Sequence, residues 1–172
     1  MRKRFAIIAA LAMILVTLPL LASAGMGGGK LLKIGSPAPD FKFKDLAGQT
    51  DEFYLYAKGK PVILVFIQTA CGSCQREMDF LKNMRASGSE IDVLVLFIDV
   101  KEMDFKGYVK DRALPFRFAW DSNFSIAEAY GVSFAPAAFL VDGDRNIVKV
   151  YRGWSRGGEE IASDVKALAG KK

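Results

Sequence analysis

Two apolar runs, Val62–Ile67 and Ile91–Ile98, the second interrupted only by Asp92, are the strongest features of the hydropathy pattern. Rich in branched residues and free of polar alternation, they read as strands buried on both faces, as in a parallel sheet with helices on each side. After Cys71 the period changes. Met78 with Leu81 and Phe80 with Met84 recur at helical spacing, while Gln75, Arg76, Asp79, Lys82 and Asn83 fall on the other side, and Gly88 ends the pattern. A helix is expected over Phe105–Arg112, stopped before Pro115, and a short strand over Phe116–Trp120. Asp121 or Ser122 is placed to cap a helix from Phe124 to Tyr130, which Gly131 terminates. Ala138–Val141 and Ile147–Tyr151 flank Asp142-Gly143-Asp144-Arg145-Asn146, a hairpin with turn residues at its tip, and Glu159–Leu168 closes the chain as a helix. Upstream, Pro37-Ala38-Pro39 has no helical potential. Phe41, Phe43 and Leu46 suggest a short strand followed by a turn at Gly48-Gln49, and Phe53–Ala57 fits a helical turn or a short strand equally. Parallel crossovers followed by an antiparallel hairpin at the sheet edge make an α/β sandwich with a mixed sheet.

The N-terminus carries an address. Arg2, Lys3 and Arg4 form a basic segment, and Phe5–Leu21 is free of charge. Ala22-Ser23-Ala24 matches a small-x-small cleavage site, so residues 1–24 read as a signal peptide with a mature start at Gly25. The alternative is an uncleaved anchor through residues 5–21, an apolar run at the short end for crossing a bilayer. Either way the domain is expected in the periplasm or another extracytoplasmic compartment, where disulfides persist. Residues 25–33, opening with the glycine-rich Gly25–Gly29, are expected to be a flexible linker; the packed chain begins near Leu31 and a single domain occupies residues 34–170.

Composition narrows the chemistry. Of the 172 residues, 51% are hydrophobic and 25% charged, a globular balance. Removing the three leader charges from the formal +5 leaves +2, which gives no reason to expect a nucleic-acid partner. There is no histidine, so the commonest general base and metal ligand are both missing.

The two cysteines, Cys71 and Cys74, are three residues apart at the junction of a buried strand and a helix. On a first helical turn this spacing suits a disulfide. The outer sulfur then meets unpaired N–H groups and the positive end of the helix dipole, a setting in which a thiol pKa near 8.5 falls to roughly 3.5–7.5. Cys71 is therefore the expected nucleophile and Cys74 the resolving thiol of a redox-active disulfide. Gly72 and Ser73 are small and let a substrate chain approach. Arg76 reads as a solvated surface residue. A purely structural bridge is a poor alternative, because so short a loop restricts the unfolded chain little. A zinc site would lack half its usual ligands, so no metal and no cofactor is expected.

Gly35-x-x-Ala38-Pro39-Asp40-Phe41, the buried strand before Cys-x-x-Cys, Tyr130-Gly131-Val132, Pro136, Phe139-Leu140-Val141-Asp142 and Gly153 together resemble the extracytoplasmic thioredoxin-like oxidoreductases of the TlpA/ResA type, within the redoxin and AhpC/TSA superfamily, over about Ile34–Leu168. The resemblance implies a thioredoxin fold with an N-terminal extension and a βα insertion. It also implies a cis Ala135–Pro136 bond facing the cysteines, with Phe134, Ala135 and Pro136 contacting substrate. It further implies a monomeric reductant of disulfides in exported proteins, such as apocytochrome c, supplied by a membrane electron donor that docks around Gly72, Phe134 and Pro136. The sequence departs from that group at three places. Ala70 stands where Trp usually precedes the first cysteine, Ala137 where Thr usually follows the proline, and Val65 where many thioredoxins bury an acid. Glu77 matches a residue common in the group, yet its helical position reads equally as solvated, which leaves Cys74 without an evident proton acceptor.

Two other activities fit the broad fold. A thiol peroxidase places Thr or Ser three residues before its reactive cysteine; here Gln68 holds that place and Thr69 is out of register. A Cu(I) carrier would use both thiolates, which suit a soft metal, but would normally add histidine.

Overall fold

The computed structural model describes residues 30–99, 101–154 and 158–169. The expected signal peptide and most of the linker lie outside the described residues. Among the described residues, no helix is long and apolar enough to cross a membrane. In chain order the elements are β1 (Lys42–Lys44), β2 (Thr50–Glu52), α1 (Phe53–Tyr56), β3 (Val62–Ile67), α2 (Gly72–Ala86), β4 (Asp92–Phe97), α3 (Glu102–Arg112), β5 (Arg117–Trp120), α4 (Ser125–Ala129), β6 (Ala137–Val141), β7 (Ile147–Arg152) and α5 (Glu159–Ala169).

The central sheet runs β5-β4-β3-β6-β7. β3, β4 and β5 are parallel, with Leu64 beside Leu94 and Val95 beside Phe118. β6 returns antiparallel to β3, and β7 antiparallel to β6. β3 has no polar residue because neither of its faces meets water. Val62, Leu64 and Phe66 pack with Phe53, Ile126, Tyr130 and Phe139, whereas Ile63, Val65 and Ile67 pack with Cys74, Met78 and Leu81 of α2, Phe105 of α3 and Ile161 of α5. Each such side chain contributes about 1.5–3 kcal/mol on full burial, so the two apolar layers hold the sheet in place.

Local chemistry sets the connections. At the β6–β7 tip, Asp142 Oδ1 accepts from the N–H groups of Asp144 and Asn146, closing the turn expected there. α4 is capped from a distance: the buried Asp121 carboxylate accepts from Ile126 N–H at 3.2 Å and Ala127 N–H at 2.8 Å. Ser122 makes no such bond.

Packing refines three boundaries of the pattern-based reading. The β1–β2 turn includes the expected Gly48, at φ +80° with its N–H on the Asp45 carbonyl, but bends at Leu46-Ala47, because the Asp45 carboxylate gathers the N–H groups of Ala47 and Gln49 and leaves Leu46 exposed. Arg117 then ties this hairpin to β5 through Asp51 at 2.8 Å and Asp45 at 3.5 Å. The Phe53–Ala57 ambiguity resolves as a single helical turn anchored by the buried Phe53. The packed chain starts near Leu31, as the pattern suggests, within the segment expected as linker. Leu31 is buried, Leu32 N–H donates to the Tyr130 carbonyl at 3.2 Å, and Gly131, at φ +68°, leaves room for the Lys30 carbonyl where a Cβ would collide.

Candidate active site

β3 ends at Ile67, and three residues carry the chain from it to the cysteine pair. Cys71 takes the extended N-cap position of α2, and Cys74 lies one turn inside. The two are joined as a disulfide with their Cα atoms 5.2 Å apart. Their environments differ. Cys71 is partly exposed and Cys74 fully buried against the α2 side of the sheet. Cys74 N–H donates to Cys71 Sγ at 3.1 Å, and the Ser73 hydroxyl, 3.2 Å away, donates to the same sulfur. Both donors, with the helix dipole behind them, favour negative charge on the outer sulfur once the bond opens.

The segment before β6 comes to the same place. The Ala135 carbonyl oxygen lies 3.8 Å from Cys71 Sγ, and the Ala135–Pro136 peptide is cis. The Pro136 carbonyl accepts from Gly153 N–H at 2.9 Å, which ties the segment to the end of β7. Pro136 is buried, Ala135 partly exposed and Phe134 38% exposed, so an apolar ring stands at the surface one residue from the contact with Cys71. Gly72 is exposed and Ser73 partly so, which leaves the outer sulfur approachable from that side. Arg76 is exposed, in keeping with a solvated role.

Glu77 requires a correction. Its helical position reads equally as solvated, but it is only 2% exposed, and its Oε2 has no hydrogen-bond partner among the described residues. Burial penalises its charged form and pushes its pKa up from 4.5 to about 8. Three residues beyond Cys74 on one helix, the two side chains are neighbours, with Cβ atoms about 5–6 Å apart. A buried carboxyl thus stands one turn beyond Cys74 on α2, while Val65, fully buried on β3, supplies none.

Sequence reasoning also passed over Asp99. It follows β4, is 8% exposed, and accepts from Thr69 N–H at 3.0 and 3.1 Å and from the Thr69 hydroxyl at 2.9 Å. The Thr69 hydroxyl is therefore engaged away from the sulfurs, and Gln68 donates to the Ile98 carbonyl at 3.4 Å. Neither residue supplies the hydroxyl that a peroxidase site would need at Cys71.

Comparison with known proteins agrees with this geometry. Residues 34–150 match the sequence pattern of the AhpC/TSA family. The thiol-disulfide oxidoreductase ResA of Bacillus thuringiensis subsp. konkukian is 34% identical over 124 residues, 71% of either chain. Among solved structures, DsbF from MTB, in its mixed oxidised and reduced forms, superposes with a TM-score of 0.66 at 27% identity over 74% of this chain and 94% of that one. The thioredoxin domain of a thiol-disulfide oxidoreductase from Bacteroides vulgatus, at 22% identity, shares the fold with a TM-score of 0.69 over 79% of this chain and 97% of that one. With its Cys71–Cys74 disulfide at the head of α2, the chain belongs to the AhpC/TSA family and is a thiol–disulfide oxidoreductase of the ResA kind.

Proposed function

We propose that the protein works outside the cytoplasm as a reductant of disulfides in exported proteins, with the paired cysteines of an apocytochrome c as the substrate class suggested by its family. The observation that carries this reading is the asymmetry of the pair: an approachable Cys71 sulfur with two donors, above a buried Cys74 that has a carboxyl one turn away. In the reduced protein, Cys71 thiolate attacks one sulfur of the substrate disulfide; a mixed disulfide forms and one substrate thiolate leaves. The ionised fraction of Glu77, which grows as pH approaches its pKa of about 8, takes the proton of Cys74. The Cys74 thiolate then attacks Cys71 Sγ, re-forming the Cys71–Cys74 bond and releasing the second substrate thiol. The substrate gains two electrons and the protein loses them. A dithiol donor at the membrane restores the reduced pair by the same exchange in reverse. Phe134, Ala135, Gly72 and Ser73 surround the outer sulfur and form the surface that substrate and donor would share, with Pro136 buried behind it. The basic, apolar leader over residues 1–24 supports export, with residues 5–21 as the anchor if it is retained.

The experiment is trapping. Cys74→Ser removes the resolving thiol, so mixed disulfides through Cys71 accumulate, while the wild-type protein reduces insulin disulfides in the presence of dithiothreitol. A Cys74→Ser protein that captures no partner, together with a wild type that leaves insulin intact, refutes the reading.

A further inference from the structure

A second acid borders the redox loop, and the thiol chemistry above does not use it. The Gln68-Thr69-Ala70 segment determines where Cys71 stands, since it is the only covalent link between β3 and α2. Asp99 holds its middle. Both carboxylate oxygens accept from Thr69 N–H, and Oδ1 also accepts from the Thr69 hydroxyl. Asp99 is itself fixed from the far side. Its carbonyl accepts from Trp120 Nε1 at 2.8 Å, and Trp120 stacks on Phe105 with ring centroids 6.2 Å apart. On either side of Asp99 the sheet ladder continues past its strands, through Ile98 N–H to the Ile67 carbonyl and Asp121 N–H to the Phe97 carbonyl, each 2.9 Å. The carboxylate thus sits on a rigid ledge, bound to a residue two positions before the nucleophile and so within about 7 Å of it backbone to backbone.

We propose that Asp99 is the positioning residue of the dithiol: by clamping the Thr69 backbone and hydroxyl it fixes the approach to Cys71, and by setting a negative charge beside that approach it disfavours the Cys71 thiolate and biases the pair toward the disulfide. A pair biased toward its disulfide gives up electrons readily, so this deepens the reductant reading, on which its biological sense rests. The charge acts against the two donors on Cys71 Sγ. Those donors make the sulfur reactive, while Asp99 limits how far the reduced form is stabilised. As a general magnitude, a full charge on the order of 10 Å from a thiolate, at an effective dielectric of about 25–50, changes such an equilibrium by a factor of about three to ten.

The test is the equilibrium of the Cys71–Cys74 pair against reduced and oxidised glutathione for three folded proteins. Asp99→Asn keeps an acceptor for Thr69 and removes the charge; it shifts the equilibrium toward the dithiol by about three- to tenfold, or about 15–30 mV in a two-electron couple. Thr69→Val loses one hydrogen bond and keeps the charge; it stays within about twofold of wild type, an outcome that a merely structural clamp does not predict. Asp99→Ser, a neutral acceptor, gives the same shift as Asp99→Asn and replaces it if that variant does not fold. A neutral variant that stays within twofold of wild type, or a Thr69→Val shift as large as that of the neutral variant, overturns the proposal. Insulin reduction by the wild type is measured alongside: its absence counts against the reductant reading and leaves the Asp99 comparison intact.

Discussion

Replacing Glu77 by Gln is expected to make the oxidised protein more stable at pH 8.5 and no different near pH 4.5. In the folded state the Glu77 carboxyl titrates at about 8, raised from 4.5 by burial. Between those two values the folded protein holds a proton that the unfolded chain has released, so stability falls as pH rises and levels off above the folded pKa. At about 1.4 kcal/mol per unit, the span amounts to at most about 5 kcal/mol. With an m-value of about 2 kcal/mol per M, that is a fall of roughly 2 M in the urea midpoint across the window. Gln keeps the shape and cannot ionise, so the midpoint of Glu77→Gln loses this slope. Asp121, whose pKa is also raised by burial against its backbone hydrogen bonds, contributes equally to both proteins and cancels in the difference. The assay is urea unfolding at half-unit steps from pH 4.5 to 8.5 with the disulfide intact, so that neither thiol titrates. Wild-type and Glu77→Gln curves that run parallel throughout would refute the claim that this carboxyl is buried without a partner. In the reduced proteins, loss of the proton acceptor slows release from the mixed disulfide by about 10²-fold or more.

Two further substitutions test how the site is supported. Asp121→Ala removes the acceptor of two N–H groups at the start of α4 in a buried position and costs about 2–3 kcal/mol in chemical denaturation, with Asp121→Asn recovering part of it. Gly131→Ala places a Cβ at φ +68° against the Lys30 carbonyl; it costs about 1–3 kcal/mol in thermal unfolding and exposes the Leu31–Leu32 segment to limited proteolysis, with the Cys71–Cys74 potential unchanged.

The pattern of the chain shows a strand most clearly where burial is symmetrical. β3 and β4 have apolar side chains on both faces, so their runs need no knowledge of their neighbours to be read. The β6–β7 hairpin is equally legible because Asp142 closes it with bonds to Asp144 and Asn146, all within five residues. The cysteine pair falls into the same class: its spacing and its place after β3 are local facts. Asp99 is different. An acid just past a strand has the composition of a loop, and only the parallel pairing of β3 with β4 brings it beside Thr69, thirty residues earlier.

Glu77 shows where such reading stops. At about 100° per residue, Met78 lies about 40° to one side of Cys74 on the α2 wheel, Leu81 about 20° to the other, and Glu77 about 60° to that same side. The local pattern defines the centre of the apolar stripe but not its edge, so a residue 60° out is buried or solvated according to what packs beside it. On that flank, about another 60° around, stands Phe80, and Trp154 from beyond β7 packs against it with ring centroids 5.5 Å apart. An aromatic contact between residues 74 positions apart in the chain thus borders the side of α2 where the carboxyl sits. The buried carboxyl one turn beyond Cys74 therefore lies at the edge of the apolar stripe, where tertiary neighbours that no window along the helix contains decide its exposure, which is why its charge reads as ordinary surface until the chain is folded.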